Sequence, residues 1–443
     1  MMRSALLIGL LLQAPAVPGP KLDVPFTQFD LPNGLHVILH EDHTVPLLTV
    51  NVWYHVGSAR EKVGRTGFAH LFEHLMFMGS KNAKYGDFDR LLEAAGGTNN
   101  ASTAEDRTNY YIDVPSNALD LALFLESDRM ASLVDAMSPK TVDAQRDVVK
   151  NERRENYENA PYGMASIDIA EMLYPKGHPY RWPTIGYMED LTAASYQDVV
   201  DFFRTYYQPG NASLVIAGDI DPAKARAAVE KWFADVPRGA APVPPIDYPH
   251  AALAQVQRKT IQDQVQLPRL YLTWLTPAHL APGDAELDVL SSLLAGGKNS
   301  RLYKRLVYDL QIAQDVAAFQ GSKALNSEYQ VVVTARPDAS IDRIRGIVDE
   351  EIKKIQQEPP AEREFRRAIN QIESSFYDRM ERVGNFGGVG DQLNAYYDAA
   401  GNPGYFNEDL SRYRALSPAD ITAAAAHFLP LDKRVELIVE PKK

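Results

Sequence analysis

Cysteine is absent from all 443 residues, so neither a disulfide framework nor a lipid-modified cysteine is available to this chain. Positive charge is in the minority: 46 Lys and Arg stand against 58 Asp and Glu, a net charge of -12. No basic stripe offsets that balance, which excludes a nucleic-acid surface and its clustered cations. Low-complexity tracts are missing, and no stretch approaches the roughly 20 apolar residues that cross a bilayer, so no membrane span is expected. What remains, 45% hydrophobic and 23% charged residues, is the composition of a soluble globular protein. The length suits two or three domains.

The N-terminus has a charged start at Arg3, a short apolar run from Ala5 to Leu12, and a small-x-small site at Ala14-Pro15-Ala16. These are the parts of a secretory signal peptide, read here as residues 1–16. The expectation is an exported protein, periplasmic or secreted.

Beyond it, "FTQFDLPNGLHVILHEDH" reads as a hairpin around Asn33-Gly34, and "LLTVNVWYHVGS" (47–58) as a strand. A helix "GFAHLFEHLMFMGS" (67–80) follows, then a second from near Asp87 to Gly96-Gly97, then a strand at 108–115. Helical patterns fill about 116–134 and 139–158; a strand at 211–220 leads to a helix after Pro222. Residues 236–247, "VPRGAAPVPPID", are dense in Pro, Gly and Ala and mark the best boundary. A second pass through the same order follows. "VPLLTVNVWY" (45–54) has a counterpart in "LPRLYLTWL" (267–275), and "AHLFEHLMFMGSKN" (69–82) in "ELDVLSSLLAGGKN" (286–299). The expected fold is therefore α+β. It has two similar, duplicated domains, each a mostly antiparallel sheet covered by helices. The divisions are 22–238, a linker at 239–250, and 251–443.

The two copies differ in one respect. Where the first has His70, Glu73 and His74, the second has Leu287, Leu290 and Ser291. Packing does not require the polar residues. Four positions apart on a helix, His70 and His74 lie on one face and can aim imidazoles at one point, as zinc requires. Glu73 sits beside that point, where it could hydrogen-bond a water held by the metal. His-x-x-Glu-His is the reversed form of the metalloprotease helix motif. A catalytic zinc needs a third protein ligand. The acidic helix "AQRDVVKNERRENYENAPYG" (144–163) offers Glu152, Glu155 and Glu158, and spacing does not choose among them.

His70-Leu-Phe-Glu73-His74 is followed 75 to 80 residues later by "VVKNERRENYENAPYG". With "GGTNNASTAEDRTNYY" (96–111), "HPYRWPTIG" (178–186) and the duplication, this resembles the pitrilysin/insulysin family of zinc peptidases. The closest likeness is to its short two-domain members, such as the mitochondrial processing peptidase β subunit. The resemblance implies a metalloendopeptidase holding one Zn2+ per chain, with Glu152 as third ligand and Glu73 as general base. It also implies half of a clam-shell, and an extended peptide substrate added to the strand around Asn100 and Ala101. Two departures stand out. Gln145 occupies the place, seven before the ligand glutamate, where the family often has an acid. Val307 and Gln314 stand where active C-terminal domains carry an arginine and, seven residues on, a tyrosine; Arg305 and Tyr308 are near but wrongly spaced. That suggests the zinc-bearing half of a heterodimer whose homologous partner, lacking the zinc motif, supplies the Arg and Tyr; a homodimer is the other option. The alternatives are a non-catalytic assembly subunit, like the core subunits of the cytochrome bc1 complex, and a metal-binding carrier.

Other motifs are read as structural. His40-Glu41-Asp42-His43 is expected to be a solvated turn after a strand, and His55 a structural residue. Asn211-Ala-Ser213 matches a glycosylation acceptor by pattern. "GGKNS" (296–300) is expected to end a helix, and "FGGVG" (386–390) to be a hinge or a close-packing point.

Overall fold

A computed structural model describes residues 21–442, so the proposed signal peptide lies outside the described residues. The Asn33-Gly34 turn joins β1 (Thr27–Asp30) to β2 (His36–Glu41), with Gly34 at φ +94°, where glycine carries no steric penalty. The alternating run at 47–58 forms β3 (Leu47–Tyr54), which stops at Tyr54 because Ser58–Arg60 coil into a 3-10 turn. With β4 (Thr98–Thr103), β5 (Thr108–Pro115) and β6 (Ala212–Gly218) these make a six-stranded sheet in the order β1-β2-β6-β3-β5-β4. The second sheet holds β7 (Gln257–Asp263), β8 (Arg269–Thr276), β9 (Ala313–Gly321), β10 (Ser327–Ala335) and β11 (Val435–Pro441), in the order β7-β11-β8-β10-β9.

With the extra edge strand β1 set aside, substituting β7, β11, β8, β10 and β9 for β2, β6, β3, β5 and β4 converts one order into the other. Directions agree as well: β2 with β6 and β7 with β11 are parallel, and the other pairs are antiparallel. The chain is thus a two-domain α+β fold with mostly antiparallel sheets. The equivalent helices are α1 (Phe68–Leu75), after β3, and, numbering on through the domain, α2 (Asp87–Ala94), α3 (Leu119–Ala136), α4 (Pro139–Arg153), α5 (Ala165–Leu173), α6 (Met188–Ala193), α7 (Tyr196–Tyr206) and α8 (Pro222–Phe233); then α9 (Asp284–Ala295), after β8. In α9 Leu287 and Leu290 are buried, and the Ser291 hydroxyl is absorbed by the carbonyl of Leu287 at 2.9 Å. The second domain is completed by α10 (Ile341–Gln357), α11 (Glu362–Met380), α12 (Val389–Ala400), α13 (Phe406–Arg414) and α14 (Pro418–Phe428).

β3 is buried on both faces. Val50, Val52 and Tyr54 face the first core, while Thr49, Asn51 and Trp53 face α12 from the other half. There Asp391 accepts hydrogen bonds from Trp53 Nε1 (3.0 Å), Asn109 Nδ2 (2.9 Å) and Gly387 N (2.8 Å). Asn394 bridges the Asn51 side chain (2.8 Å) and Ser213 (2.7 Å). Gly390 shows why "FGGVG" is a close-packing point: a Cβ there would lie 2.6 Å from Thr49 Cγ2. With the Asn51 side-chain amide at 3.4 Å as a fourth, Asp391→Ala would leave four donors without this acceptor in a dry interface. It should cost about 3 kcal/mol or more, read as a lowered thermal midpoint.

One motif reading changes. β2 runs through Glu41, so His40 is not in the exposed turn; it is buried, with Nδ1 donating to the Pro25 carbonyl at 2.7 Å. Asn211 is also buried and donates to the Tyr206 carbonyl at 2.9 Å, so its pattern is a structural turn, not an accessible acceptor.

Candidate metal centre

The helix α1 starts where the chain is pinned. Gly67 has φ +89°, and a Cβ there would come within 2.8 Å of the Ile185 carbonyl. The free amides of the first turn meet a carboxylate: Gly67 N and Ala69 N each donate to Glu61 at 2.8 Å. Burial pushes Glu61 up to about 8, against the backbone amides that favour its charged form. Leu71, Phe72 and Leu75 fill the core, and Phe72 packs on Phe202 and Tyr207. The opposite stripe carries His70, Glu73 and His74, one turn apart.

The helix α4 brings the third group. Ser138 accepts from Thr141 N at 3.2 Å and Pro139 takes the first helical position, a strong start. Val142 and Val149 anchor the buried stripe, which places Glu152 toward α1. After Arg153 the helix loosens into a π turn (154–158), and this separates the three glutamates. Glu155 is exposed, and Glu158 pairs with Arg153. Glu152 alone of the three faces the histidines: Oε1 is 3.6 Å from His70 Nε2 and Oε2 is 3.2 Å from His74 Nε2.

One donor atom from each of His70, His74 and Glu152 falls within 4.8 Å of the others. A tetrahedral zinc with bonds of 2.0–2.1 Å has ligand–ligand edges of about 3.4 Å, so the two carboxylate–imidazole separations fit that ion. Protonation fits too. Burial holds His70 below the ordinary imidazole value, against the pull of Glu152 and Glu73. The hydrogen bond from His74 is the main cause keeping Glu152 below the usual carboxylate range. A neutral His70 imidazole and an ionised Glu152 carboxylate are what a cation needs. His70 Nδ1 is buried without a partner, so among the described residues no carboxylate braces this imidazole from behind.

Glu73 lies beside the three and is tied down, its Oε2 accepting from Thr103 Oγ1 at 2.6 Å. His70, Glu73, Ser102, Thr103, Glu152 and Tyr157 line one cleft of about 520 Å³. Asn100 and Ala101 lie on β4, an edge strand that pairs with β5 on one side. The Ala101 amide is capped by the Asn100 side chain at 2.8 Å. In the other half, Gln314 sits on β9, the equivalent edge strand, and Val307 in the turn before it. Arg305 is held by Glu351 (2.8 Å) and Glu350, and Tyr308 is 73% exposed. Glu61 and Thr103 went unnoticed in the sequence. Thr103 carries a usable signal, since period-two alternation from Ala101 turns it to the same face of β4.

Residues 36–167, which contain His70, Glu73, His74 and Glu152, match the family described as Insulinase (Peptidase family M16). Residues 193–372 match its companion, described as Peptidase M16 inactive domain. The chain belongs to the M16 peptidase family. The zinc protease PqqE of Helicobacter pylori is 29% identical over 422 residues, covering 93% of this M16 chain and 92% of that protein. The crystal structure of a protease from Helicobacter pylori superposes with a TM-score of 0.88 at 26% identity, covering 94% of this chain and 100% of that one. The periplasmic protease PqqL from Escherichia coli shares the fold at a TM-score of 0.78 and 18% identity. That match covers 94% of this chain but 48% of PqqL. In this M16 chain the match named for an inactive domain includes α9, where Leu287, Leu290 and Ser291 replace the motif.

Proposed function

We propose that this chain is a zinc-dependent endopeptidase in which His70, His74 and Glu152 hold one Zn2+ and Glu73 is the general base. The observation that carries the proposal is the convergence of three ligand atoms within 4.8 Å beside a carboxylate anchored by Thr103. Bound zinc lowers the pKa of water towards neutrality and polarises a peptide carbonyl. Glu73 then takes the water's proton and later delivers it to the departing amine. Extended peptides or unfolded segments lie along the free edge of β4 around Asn100 and Ala101, where a substrate strand would displace the Asn100 side chain from the Ala101 amide.

The developing oxyanion needs a donor, which the resemblance would place on an arginine and a tyrosine of the second half. Arg305 is occupied by Glu350 and Glu351, and Val307 and Gln314 offer no cation or phenol. We therefore assign the donor to a homologous partner without the zinc motif, making this chain half of a clam-shell; a homodimer is the second option. That this chain spans about half of PqqL, a relative with room for a second such unit, supports the arrangement. Units 22–238 and 251–443, joined through 239–250, would form each half. Export to the periplasm or beyond follows from the N-terminal pattern; no described helix is long and apolar enough to cross a membrane.

The test is to purify the chain alone, load it with zinc, and follow cleavage of a quenched peptide with and without a chelator. Cleavage that survives complete metal removal refutes the zinc reading. Full activity as a monomer, unchanged by any partner, refutes the two-subunit reading. A non-catalytic assembly subunit would bind zinc and cleave nothing under either condition.

A further inference from the structure

The Glu73 carboxylate ends in an sp² torsion with a broad, nearly two-fold profile, so packing of the helix alone does not decide which oxygen faces the cleft. Thr103 decides it. Its hydroxyl donates to Oε2 at 2.6 Å, the short length of a charge-assisted bond, and leaves Oε1 as the oxygen available to a reacting water. Thr103 is itself held firmly, because the residue before it is locked on the other face of β4. Arg107 donates to the Ser102 carbonyl at 2.9 Å and to its hydroxyl at 2.6 Å, and Ser102 donates to Asn109 at 2.6 Å. Asn109 in turn donates to Asp391 of the second half at 2.9 Å, and the Arg107 guanidinium lies over Trp53 at 5.1 Å. The strand that offers its edge to a peptide therefore also carries the group that orients the base.

We infer that Thr103 is a positioning residue for the hydrolytic step, fixing the Glu73 carboxylate through its hydroxyl so that one oxygen is presented to the cleft. This rests on the reading of Glu73 as general base, and the experiment separates the two. Thr103→Val keeps the shape and β-branching of threonine without the hydroxyl; Thr103→Ser keeps the hydroxyl; Thr103→Ala serves as a second hydroxyl-free variant should valine disturb folding. Each is prepared as the zinc-loaded full chain, with its partner if one is required. It is then assayed on an internally quenched extended peptide that the wild type cleaves. Thr103→Val and Thr103→Ala should lower kcat by about 10- to 100-fold with KM within about twofold and one zinc per chain, as expected for loss of an outer hydrogen bond to an active-site group. Thr103→Ser should stay within about threefold of wild type. A wild-type kcat in the hydroxyl-free variants overturns the inference. So does equal impairment in the serine variant, or a rise in KM alone. Failure of the underlying reading looks different: Glu73→Gln would then cleave normally whatever stands at 103.

Discussion

Replacing Glu73 with glutamine is expected to lower peptide cleavage by about 10²- to 10⁴-fold while one zinc per chain stays bound. Glutamine has the same length and shape, and its carbonyl oxygen can still accept from Thr103 Oγ1, so the cleft should keep its form. The amide has no basicity, so the water loses its proton acceptor and the leaving amine its donor. Glu73 is outside the cluster of His70, His74 and Glu152, which is why metal content should not follow activity down. The measurement pairs zinc analysis with the initial rate on one preparation. Unchanged cleavage would sink the peptidase reading. A parallel loss of zinc would instead make Glu73 a ligand.

The second large effect is expected at Glu152. Structural zinc sites are worth about 10–16 kcal/mol across four ligands, or roughly 3 kcal/mol each, so Glu152→Ala should weaken zinc binding by at least about 10²-fold. Cleavage should disappear at zinc concentrations that saturate the wild type. The comparison that gives this force is internal. Glu155 is exposed and Glu158 is engaged with Arg153, so Glu155→Ala and Glu158→Ala should keep zinc affinity within about threefold. Isothermal titration of the metal-free variants with zinc distinguishes them. Full affinity in Glu152→Ala, or an equal loss at Glu158, would overturn the ligand set.

Together these outcomes separate the functional classes. A metal carrier would lose zinc at Glu152 yet show no cleavage for Glu73→Gln to remove. A non-catalytic core subunit on this fold would show no cleavage either, and no consequence of altering Thr103.

The architecture was legible because it rests on local periodicity. Alternation placed β3 and β5, the Asn33-Gly34 turn placed the first hairpin, and the second pass through the same pattern announced the duplicate sheet. The polar seam of α1 was legible for the same reason, since residues four apart share a helix face whatever surrounds them. The choice among Glu152, Glu155 and Glu158 was not legible from spacing, where the family resemblance alone pointed to Glu152, because three regularly spaced acids look alike until the helix changes pitch. The π turn at 154–158 does that, and no residue in "RENYE" announces it. His40 misled for a related reason: it is a polar residue near a strand end, and whether such a residue meets water depends on what is packed over it.

By itself, then, the sequence determined the two-sheet α+β plan, the face on which His70, Glu73 and His74 gather, and the apolar replacement of that face in α9. These follow from covalent geometry and repeat spacing over a few turns. Only the tertiary structure set Glu152 rather than its neighbours against the histidines, as the resemblance implies, placed Glu61 at the start of the helix bearing them, and bonded Thr103 to Glu73 across 30 residues of chain. It alone showed Asp391 buried against Trp53, 338 positions away. A hydrogen bond between residues so far apart leaves no period in either segment. It becomes visible when folding removes the water that had satisfied each group separately.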